Sequence, residues 1–182
     1  MDTKEYLEEL ERRCQKPADY FYDAKSKGGA GIVIVGFDNY PVVGEFTYFS
    51  YGLHRLEKPE WKYGVPEYFI VIDCPHRPLA AYFGYLLSVF GFEKTMTWNT
   101  LIGVGEADAV EGYPYRWLAL APPDYLQWEN YKIAPREGLP IHLGMGYFIS
   151  NNDFETVRDR GMYYLKEKMK NDYEYWKRIQ RA

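Results

Sequence analysis

The sequence predicts an α+β (mixed α/β) domain with one twisted sheet, largely antiparallel or mixed, flanked by helices. Helical patterns stand near the beginning, middle and end of the chain, and runs of β-branched and aromatic residues lie between them. Short links between consecutive strands favour antiparallel neighbours in a sheet. A length of 182 residues is ordinary for one domain, so residues 1–182 are expected to form a single unit with its own core.

The first element is an N-terminal helical segment, expected over residues 1–27. Asp2 and Glu5 have the spacing of a capping box, with Asp in place of Ser or Thr. Apolar residues follow at helical spacing, namely Tyr6, Leu7, Leu10 and Cys14. Pro17 interrupts the pattern, and residues 20–22 are expected to form a second short helical turn.

Six later segments are predicted to be strands because they are rich in β-branched and aromatic residues. They are residues 32–37, 45–51, 67–73, 101–104, 116–121 and 139–149. The segment at 67–73 is apolar almost throughout, which predicts a strand buried on both faces.

Two further helices are predicted. Residues 79–90 carry a wide apolar stripe with a period of 3.6, and Gly91 is well placed as a left-handed cap at its end. A long C-terminal helix is expected over about residues 152–180, and Asn152 with Glu155 resembles a capping box at its start. Its basic last turns suit the negative end of a helix dipole.

Charge and composition restrict the partners. The net charge is −4, and residues 1–154 hold 14 basic and 21 acidic side chains. An acidic body repels phosphate backbones, so nucleic acid is excluded as a partner, and a basic protein is favoured. Mild acidity also serves simply to keep a protein soluble.

No signal peptide and no apolar run of membrane-spanning length is expected, which predicts a cytoplasmic protein without membrane contact. In that compartment Cys14 and Cys74 are expected to be reduced. The cysteines and histidines are scattered without paired metal spacing, so neither a metal nor another cofactor is expected.

One stretch, Asp73-Cys74-Pro75-His76, carries the residue types of nucleophilic catalysis. An attacking cysteine needs a nearby histidine base and a lowered pKa. Neighbours in sequence rarely meet in that geometry, and a strand-to-helix corner with a buried thiol is the favoured interpretation. No catalytic residue is therefore assigned, and the chain is predicted not to be an enzyme.

Residues for binding a partner protein are predicted in loops and at strand ends. Aromatic side chains dominate the binding energy of many interfaces, and the candidates are Tyr40, Trp61, Tyr63, Trp98 and Tyr113. Packing back onto the core is an equally good interpretation for each of them. An acidic loop can attract cations on a partner or can simply be solvated, and it contains Glu106, Asp108 and Glu111.

Several segments together resemble the Suppressor of fused (SUFU) domain family. Residues 46–53 are similar to its strand that ends in a small residue, an aromatic residue and Gly-Leu. Residues 67–72 resemble its apolar strand with an acidic start, and residues 118–124 its strand ending in a Pro/Asp corner. The intervening helix and the closing strand and helix also match, so that the resemblance runs from about residue 45 to residue 169.

The resemblance implies a protein-binding function. Animal members hold a transcription factor with this domain and a second one, whereas bacterial single-domain members resemble immunity proteins of polymorphic toxin systems. The chain is similar to the bacterial form in length and acidity, which implies direct binding and neutralisation of a cognate toxin. It departs from the family pattern at His54, which follows Leu53, and by lacking a clear Gly-His pair near residues 98–105. The alternatives are a regulator that sequesters a protein by β-strand addition, and a hydrolase.

Overall fold

A computed structural model describes residues 2–24, 31–56, 58–61, 64–73, 77–93, 99–103, 116–123 and 125–171. The α-helices in these ranges are α1 (Thr3–Cys14), α2 (Arg77–Glu93), α3 (Asn151–Arg160) and α4 (Met162–Asn171), with a 3₁₀ turn, η1, at Leu53–Leu56. The strands in these ranges are β1 (Tyr20–Ala24), β2 (Ile32–Asp38), β3 (Phe46–Tyr51), β4 (Val65–Ile72), β5 (Thr100–Gly103), β6 (Trp117–Ala121), β7 (Lys132–Ile133) and β8 (Ile141–Ile149).

The strands form one mixed sheet in the order β1-β2-β3-β4-β8-β6-β5, and β7 pairs with one end of β8. Strands β1 to β4 are a meander of antiparallel neighbours. In the described part of the chain, β4 and β8 form the parallel pair, and all other pairs are antiparallel. The predicted α+β class with a mixed sheet is confirmed.

Both faces of the sheet are covered, because alternate side chains of the central strands point to opposite sides. One face packs Phe49 and Phe69 in a cluster with Tyr6 and Leu10 of α1. The other face packs Tyr48 and its neighbours against the apolar stripe of α2. Strand β4 is buried almost throughout, as its continuous apolar run predicts.

Helix α1 begins as predicted but ends well before residue 27. The Asp2 side chain caps it by accepting a hydrogen bond from the Glu5 N–H at 2.7 Å, and Gln15 ends it in a left-handed conformation. The expected helical turn at residues 20–22 is wrong, because that segment is strand β1 paired along its length with β2. The aromatic residues there favour β-structure, and in β1 their main chain forms hydrogen bonds with a neighbouring strand, which a short helical turn could not supply.

Helix α2 runs through Gly91 to Glu93, so the predicted cap at Gly91 is wrong. A glycine inside a helix costs only about 1 kcal/mol relative to alanine, and the packing of the apolar stripe upstream offsets that cost. The helix lies close against the sheet at Gly84, where an added Cβ would stand 2.8 Å from the Ala24 Cβ. This close approach places α2 along β1 and β2.

The C-terminal helical region is broken where one continuous helix was predicted. Gly161 has a φ of +81° and separates α3 from α4, while residues 172–180 of the predicted helix lie outside the described ranges. The predicted cap at Asn152 is also wrong. Ser150 caps α3: its Oγ accepts from the Asp153 N–H at 3.1 Å and donates to Asp153 Oδ2 at 2.6 Å. Helix α3 therefore begins directly after Ser150, because the Ser150 side chain can accept a hydrogen bond from a free N–H group of the first helical turn.

Replacing Ser150 with alanine is expected to lower the free energy of unfolding by about 1 kcal/mol, since the N-cap hydrogen bond is lost. Urea denaturation followed by circular dichroism measures this change. Asn152→Ala in the first turn of α3 is the matched control, because the Asn152 side chain is exposed. A larger loss for Asn152→Ala than for Ser150→Ala would contradict the assigned cap.

Within the described ranges, no helix has both the length and the apolar character needed to cross a lipid bilayer.

Candidate protein-binding site

Most of the partner-binding residues predicted from the sequence lie outside the described residues. These are Tyr63, Trp98, Glu106, Asp108, Glu111 and Tyr113, and the same holds for Cys74 and His76. Their proposed roles stay predictions. Tyr40 and Trp61 are described, and both are packed inward.

Tyr40 lies in the link between β2 and β3 and belongs to a layer of aromatic side chains over the sheet. Its hydroxyl accepts a hydrogen bond from Trp128 Nε1 at 2.8 Å, and its ring contacts Phe37. Burial raises the pKa of the Tyr40 hydroxyl well above its usual value. Trp61 is 7% exposed and belongs to the core on the α2 side of the sheet. Little of the Trp61 ring is therefore available to a partner.

A group of polar side chains with catalytic chemistry surrounds the buried Glu67 of β4. Glu67 is fully buried, and its carboxylate accepts a hydrogen bond from Ser50 Oγ at 2.7 Å and another from the Gly52 N–H at 2.7 Å. His54 Nδ1 lies 3.5 Å from the same carboxylate. Burial and the nearby Glu67 charge raise the pKa of Tyr6, whose hydroxyl donates to the Ser50 carbonyl at 2.9 Å.

Serine, histidine and glutamate occur together in hydrolases, but the geometry here differs from that of a catalytic triad. A triad serine donates its proton to the histidine, which the carboxylate orients from the other side. Ser50 instead donates to Glu67 and accepts from the Tyr68 N–H at 2.9 Å, and its side chain is fully buried. Glu67 thus fixes the corner at which β3 passes into η1.

That corner needs a glycine. Gly52 has a φ of +141°, and a Cβ at this position would lie 2.6 Å from the Gly31 carbonyl oxygen. Such a backbone conformation is open to glycine and rarely to other residues. The N–H of Gly52 points at Glu67, so the strand, the turn and the buried carboxylate form one hydrogen-bonded unit.

Cys14 is a packing residue at the end of α1. It is 5% exposed, and burial raises the pKa of its thiol to about 12. Since the thiolate is the nucleophilic form, Cys14 is unreactive near neutral pH. Among the described residues, no group of three His, Cys, Asp or Glu side chains is arranged to hold a metal ion.

One described surface with binding features is the side of β1 that faces away from β2, called here the β1 edge: Tyr20, Phe21, Tyr22, Asp23 and Ala24. Strand β1 pairs with β2 on one side, and no other described strand pairs with it on the opposite side. Every second residue of an edge strand turns its N–H and C=O away from the sheet, where another strand can accept them.

The β1 edge also displays apolar side chains. Phe21 is 55% exposed and Tyr22 is 39% exposed, and the strand contains no Pro or Lys of the kind that commonly protects sheet edges. The Tyr20 ring packs edge-on against Tyr48 with 6.1 Å between centroids, and it stacks with Tyr22 at 6.5 Å. The Tyr20 and Tyr22 side chains therefore lie on the α2 side of the sheet, and Phe21 lies on the α1 side.

The β1 edge is held rigidly at its start. The Asp19 N–H donates to the Gly36 carbonyl at 2.9 Å, and the Asp19 carboxylate accepts from the Asp38 N–H at 2.8 Å. Lys16 Nζ lies 2.6 Å from Asp19 Oδ2, and this contact helps to lower the pKa of the Asp19 carboxyl. A preordered edge loses little conformational entropy when a partner binds.

The opposite end of the sheet is β5, a strand of four residues. A groove of about 520 Å³ lies beside it, lined by Asn99, Leu101, Val157, Gly161, Met162, Tyr163 and Lys166. The chain from residue 104 to residue 115 lies outside the described residues.

No protein-family model and no curated protein matches the sequence. Solved structures do match. A putative SUFU homolog from Neisseria gonorrhoeae is 12% identical with a TM-score of 0.70, and the match covers 98% of this chain and 94% of that one. A chain of the Sufu–Fu complex is 14% identical with a TM-score of 0.59, covering 86% of this chain and 79% of that one.

Suppressor of Fused from Drosophila is 13% identical with a TM-score of 0.53. The match covers 85% of this chain and 43% of the Drosophila chain, so this chain spans less than half of that larger protein. Such identities bear on the fold alone, and the similarity to the Neisseria structure extends beyond residues 45–169 to almost the whole chain. The chain therefore has a Suppressor of fused-like fold.

Proposed function

We propose that this chain works by binding another protein, and that a strand of the partner adds to the β1 edge. The observation that carries the proposal is a strand that has one neighbour, β2, among the described strands and that displays two exposed aromatic side chains, Phe21 and Tyr22. In strand addition, main-chain hydrogen bonds supply affinity and the flanking side chains supply specificity. The β1 edge offers both, because Phe21 lies on one face of the sheet and Tyr22 on the other.

The structural comparisons support protein binding in a general way. One of the similar structures is a complex of Sufu with Fu, so a domain of this fold is found bound to another protein. The proposal that the binding site lies on β1 rests on the structure of this chain and not on those comparisons.

Binding rather than catalysis is proposed because two candidate nucleophiles, Ser50 and Cys14, are buried. The Ser50 hydroxyl donates a hydrogen bond to Glu67, and burial raises the pKa of the Cys14 thiol. Both side chains serve packing or hydrogen bonding inside the fold. A cytoplasmic location stays a prediction.

The finer proposal is that the partner is a toxin and that binding neutralises it. Its support is the acidic balance of residues 1–154, which would attract a basic protein, together with the resemblance to bacterial single-domain members of the SUFU family. Co-expression with a toxic domain encoded beside this chain tests it. Survival that depends on this chain, with co-purification of the two proteins, is the expected result. A partner without toxicity would favour a regulator that sequesters a protein.

The site is tested with the partner obtained from that co-expression. Phe21→Ala combined with Tyr22→Ala is expected to weaken binding at least about thirtyfold, which corresponds to about 2 kcal/mol for the loss of aromatic anchors. Titration calorimetry measures the affinity. Hydrogen exchange is expected to show new protection in the complex for those amides of residues 20–24 that point away from β2.

Matched controls exist elsewhere on the surface. Val43 is 89% exposed and Leu139 is 45% exposed, and both lie away from β1 in the sequence. Val43→Ala and Leu139→Ala are expected to leave the affinity unchanged. Unchanged affinity of the Phe21/Tyr22 double variant, or exchange protection confined to other strands, would show that the partner binds elsewhere.

A further inference from the structure

We infer that the partner strand carries a carboxylate side chain opposite Tyr20, where it forms an ion pair with Arg77. This inference rests on the proposed strand addition and names the chemistry that the β1 edge selects. The guanidinium carbon of Arg77 lies 4.9 Å from the centroid of the Tyr20 ring. A cation therefore stands beside the first residue of the β1 edge.

The positive charge of Arg77 is accessible to a partner. Arg77 is exposed at the first residue of α2, and the ion pairs found among the described residues do not include it. A guanidinium carries five N–H donors in a planar fork, which matches a carboxylate in a two-bond arrangement. The contact with Tyr20 orients this fork and leaves its N–H donors available to a partner.

The register of strand addition brings a partner side chain to this position. Residues directly opposite each other on antiparallel strands have Cβ atoms about 4.5–5.5 Å apart and project to the same face. Tyr20 projects to the α2 side, as its edge-on contact with Tyr48 shows. The partner residue opposite Tyr20 therefore projects to the α2 side as well, which is the side of the sheet that holds the guanidinium of Arg77.

The neighbouring positions favour apolar residues. The partner residue opposite Phe21 would cover a ring that is 55% exposed on the α1 side, and the residue opposite Tyr22 would cover one that is 39% exposed on the α2 side. Read from the N-terminus to the C-terminus of an antiparallel partner, the expected pattern is apolar, apolar, acidic. A neutral residue at the third position would remove water from Arg77 without replacing the hydrogen bonds of that water. The site is therefore expected to favour peptides with an acidic residue there and to disfavour peptides with a neutral one.

The test uses a displayed library of random ten-residue peptides, selected on the purified chain and on three variants: Arg77→Gln, Arg55→Gln and the Phe21→Ala/Tyr22→Ala double variant. On the wild-type chain, selected peptides are expected to be enriched in Asp or Glu directly after two apolar residues. Arg77→Gln is expected to remove the acidic enrichment and to retain the apolar one. Arg55 is the matched control, because its guanidinium lies 5.7 Å from the Tyr51 ring, away from β1.

Affinities of one selected peptide and its Asp→Asn or Glu→Gln derivative complete the test. Arg77→Gln is expected to weaken binding of the acidic peptide about tenfold or more and to leave binding of the amide derivative unchanged. Peptides that bind the β1 edge without an acidic preference, or with one that Arg77→Gln does not alter, would overturn this inference and leave strand addition intact. Failure to select peptides that depend on Phe21 and Tyr22 would overturn both.

Discussion

Replacing Glu67 with alanine is expected to lower the free energy of unfolding by about 3–5 kcal/mol, because two buried donors would lose their acceptor at about 1–3 kcal/mol each. The donors are Ser50 Oγ and the Gly52 N–H, each 2.7 Å from the carboxylate. Water cannot replace the missing acceptor cheaply, since Glu67 is fully buried. Chemical denaturation monitored by circular dichroism measures the loss.

Two further variants, Glu67→Gln and Glu8→Ala, serve as comparisons for the stability loss of Glu67→Ala. Glu67→Gln keeps the shape and one acceptor oxygen, so a smaller loss is expected for it than for Glu67→Ala. Glu8→Ala removes an exposed carboxylate from α1, where its pair with Lys4 has an N–O distance of 3.7 Å. A change within about 0.5 kcal/mol is expected there, as for most exposed positions. A Glu67→Ala protein as stable as the Glu8→Ala protein would contradict the structural role of the carboxylate.

Phe49→Ala is expected to cost about 3–5 kcal/mol, the range found for large aromatic residues removed from protein cores. Phe49 is fully buried in the centre of an aromatic cluster on the α1 side of the sheet. Its ring lies 5.8 Å from Phe37, 5.4 Å from Phe69 and 5.7 Å from Trp128, measured between centroids. The cavity would leave all three rings without a central partner.

The same denaturation experiment measures the Phe49 variant, and Phe21→Ala is its control. Phe21 is the same residue type in a strand of the same sheet but is 55% exposed, so a loss below about 1 kcal/mol is expected. The Phe21→Ala/Tyr22→Ala double variant of the binding experiments is measured beside it, to test whether that variant is folded. Equal losses at the two positions would mean that Phe49 does not hold the cluster together.

The sequence predicted the central strands and α2 correctly because their signals are local. Runs of β-branched residues such as 32–37 specify strands wherever they lie, and the stripe of α2 has the helical period over many residues. Strand β1 was missed because its five residues show no clear alternation and its partner, β2, lies beyond an intervening stretch of chain. The break at Gly161 was missed because apolar residues continue at helical spacing across it.

The candidate site was less predictable than the fold. The aromatic residues of loops gave no signal that separates an anchor from a core residue, and Trp61 proved to be buried. The position of Arg77 beside Tyr20 depends on α2 lying along β1, which is a tertiary contact between residues far apart in sequence. The sequence identifies Glu67 only as the acidic start of an apolar strand, because its role at the Gly52 corner depends on how β3 and β4 pair.

The parallel pairing of β4 with β8 has a consequence for the order of folding. Strand β8 lies between β4 and β6, and its register joins residues 65–69 to residues 141–145. The antiparallel meander from β1 to β4 can form from contacts that are close in sequence. The β4–β8 pair in the centre of the sheet instead joins residues that are more than 70 positions apart. Contacts of such long range are slow to form. During synthesis, the β4 side of the meander therefore stays open until β8 has left the ribosome.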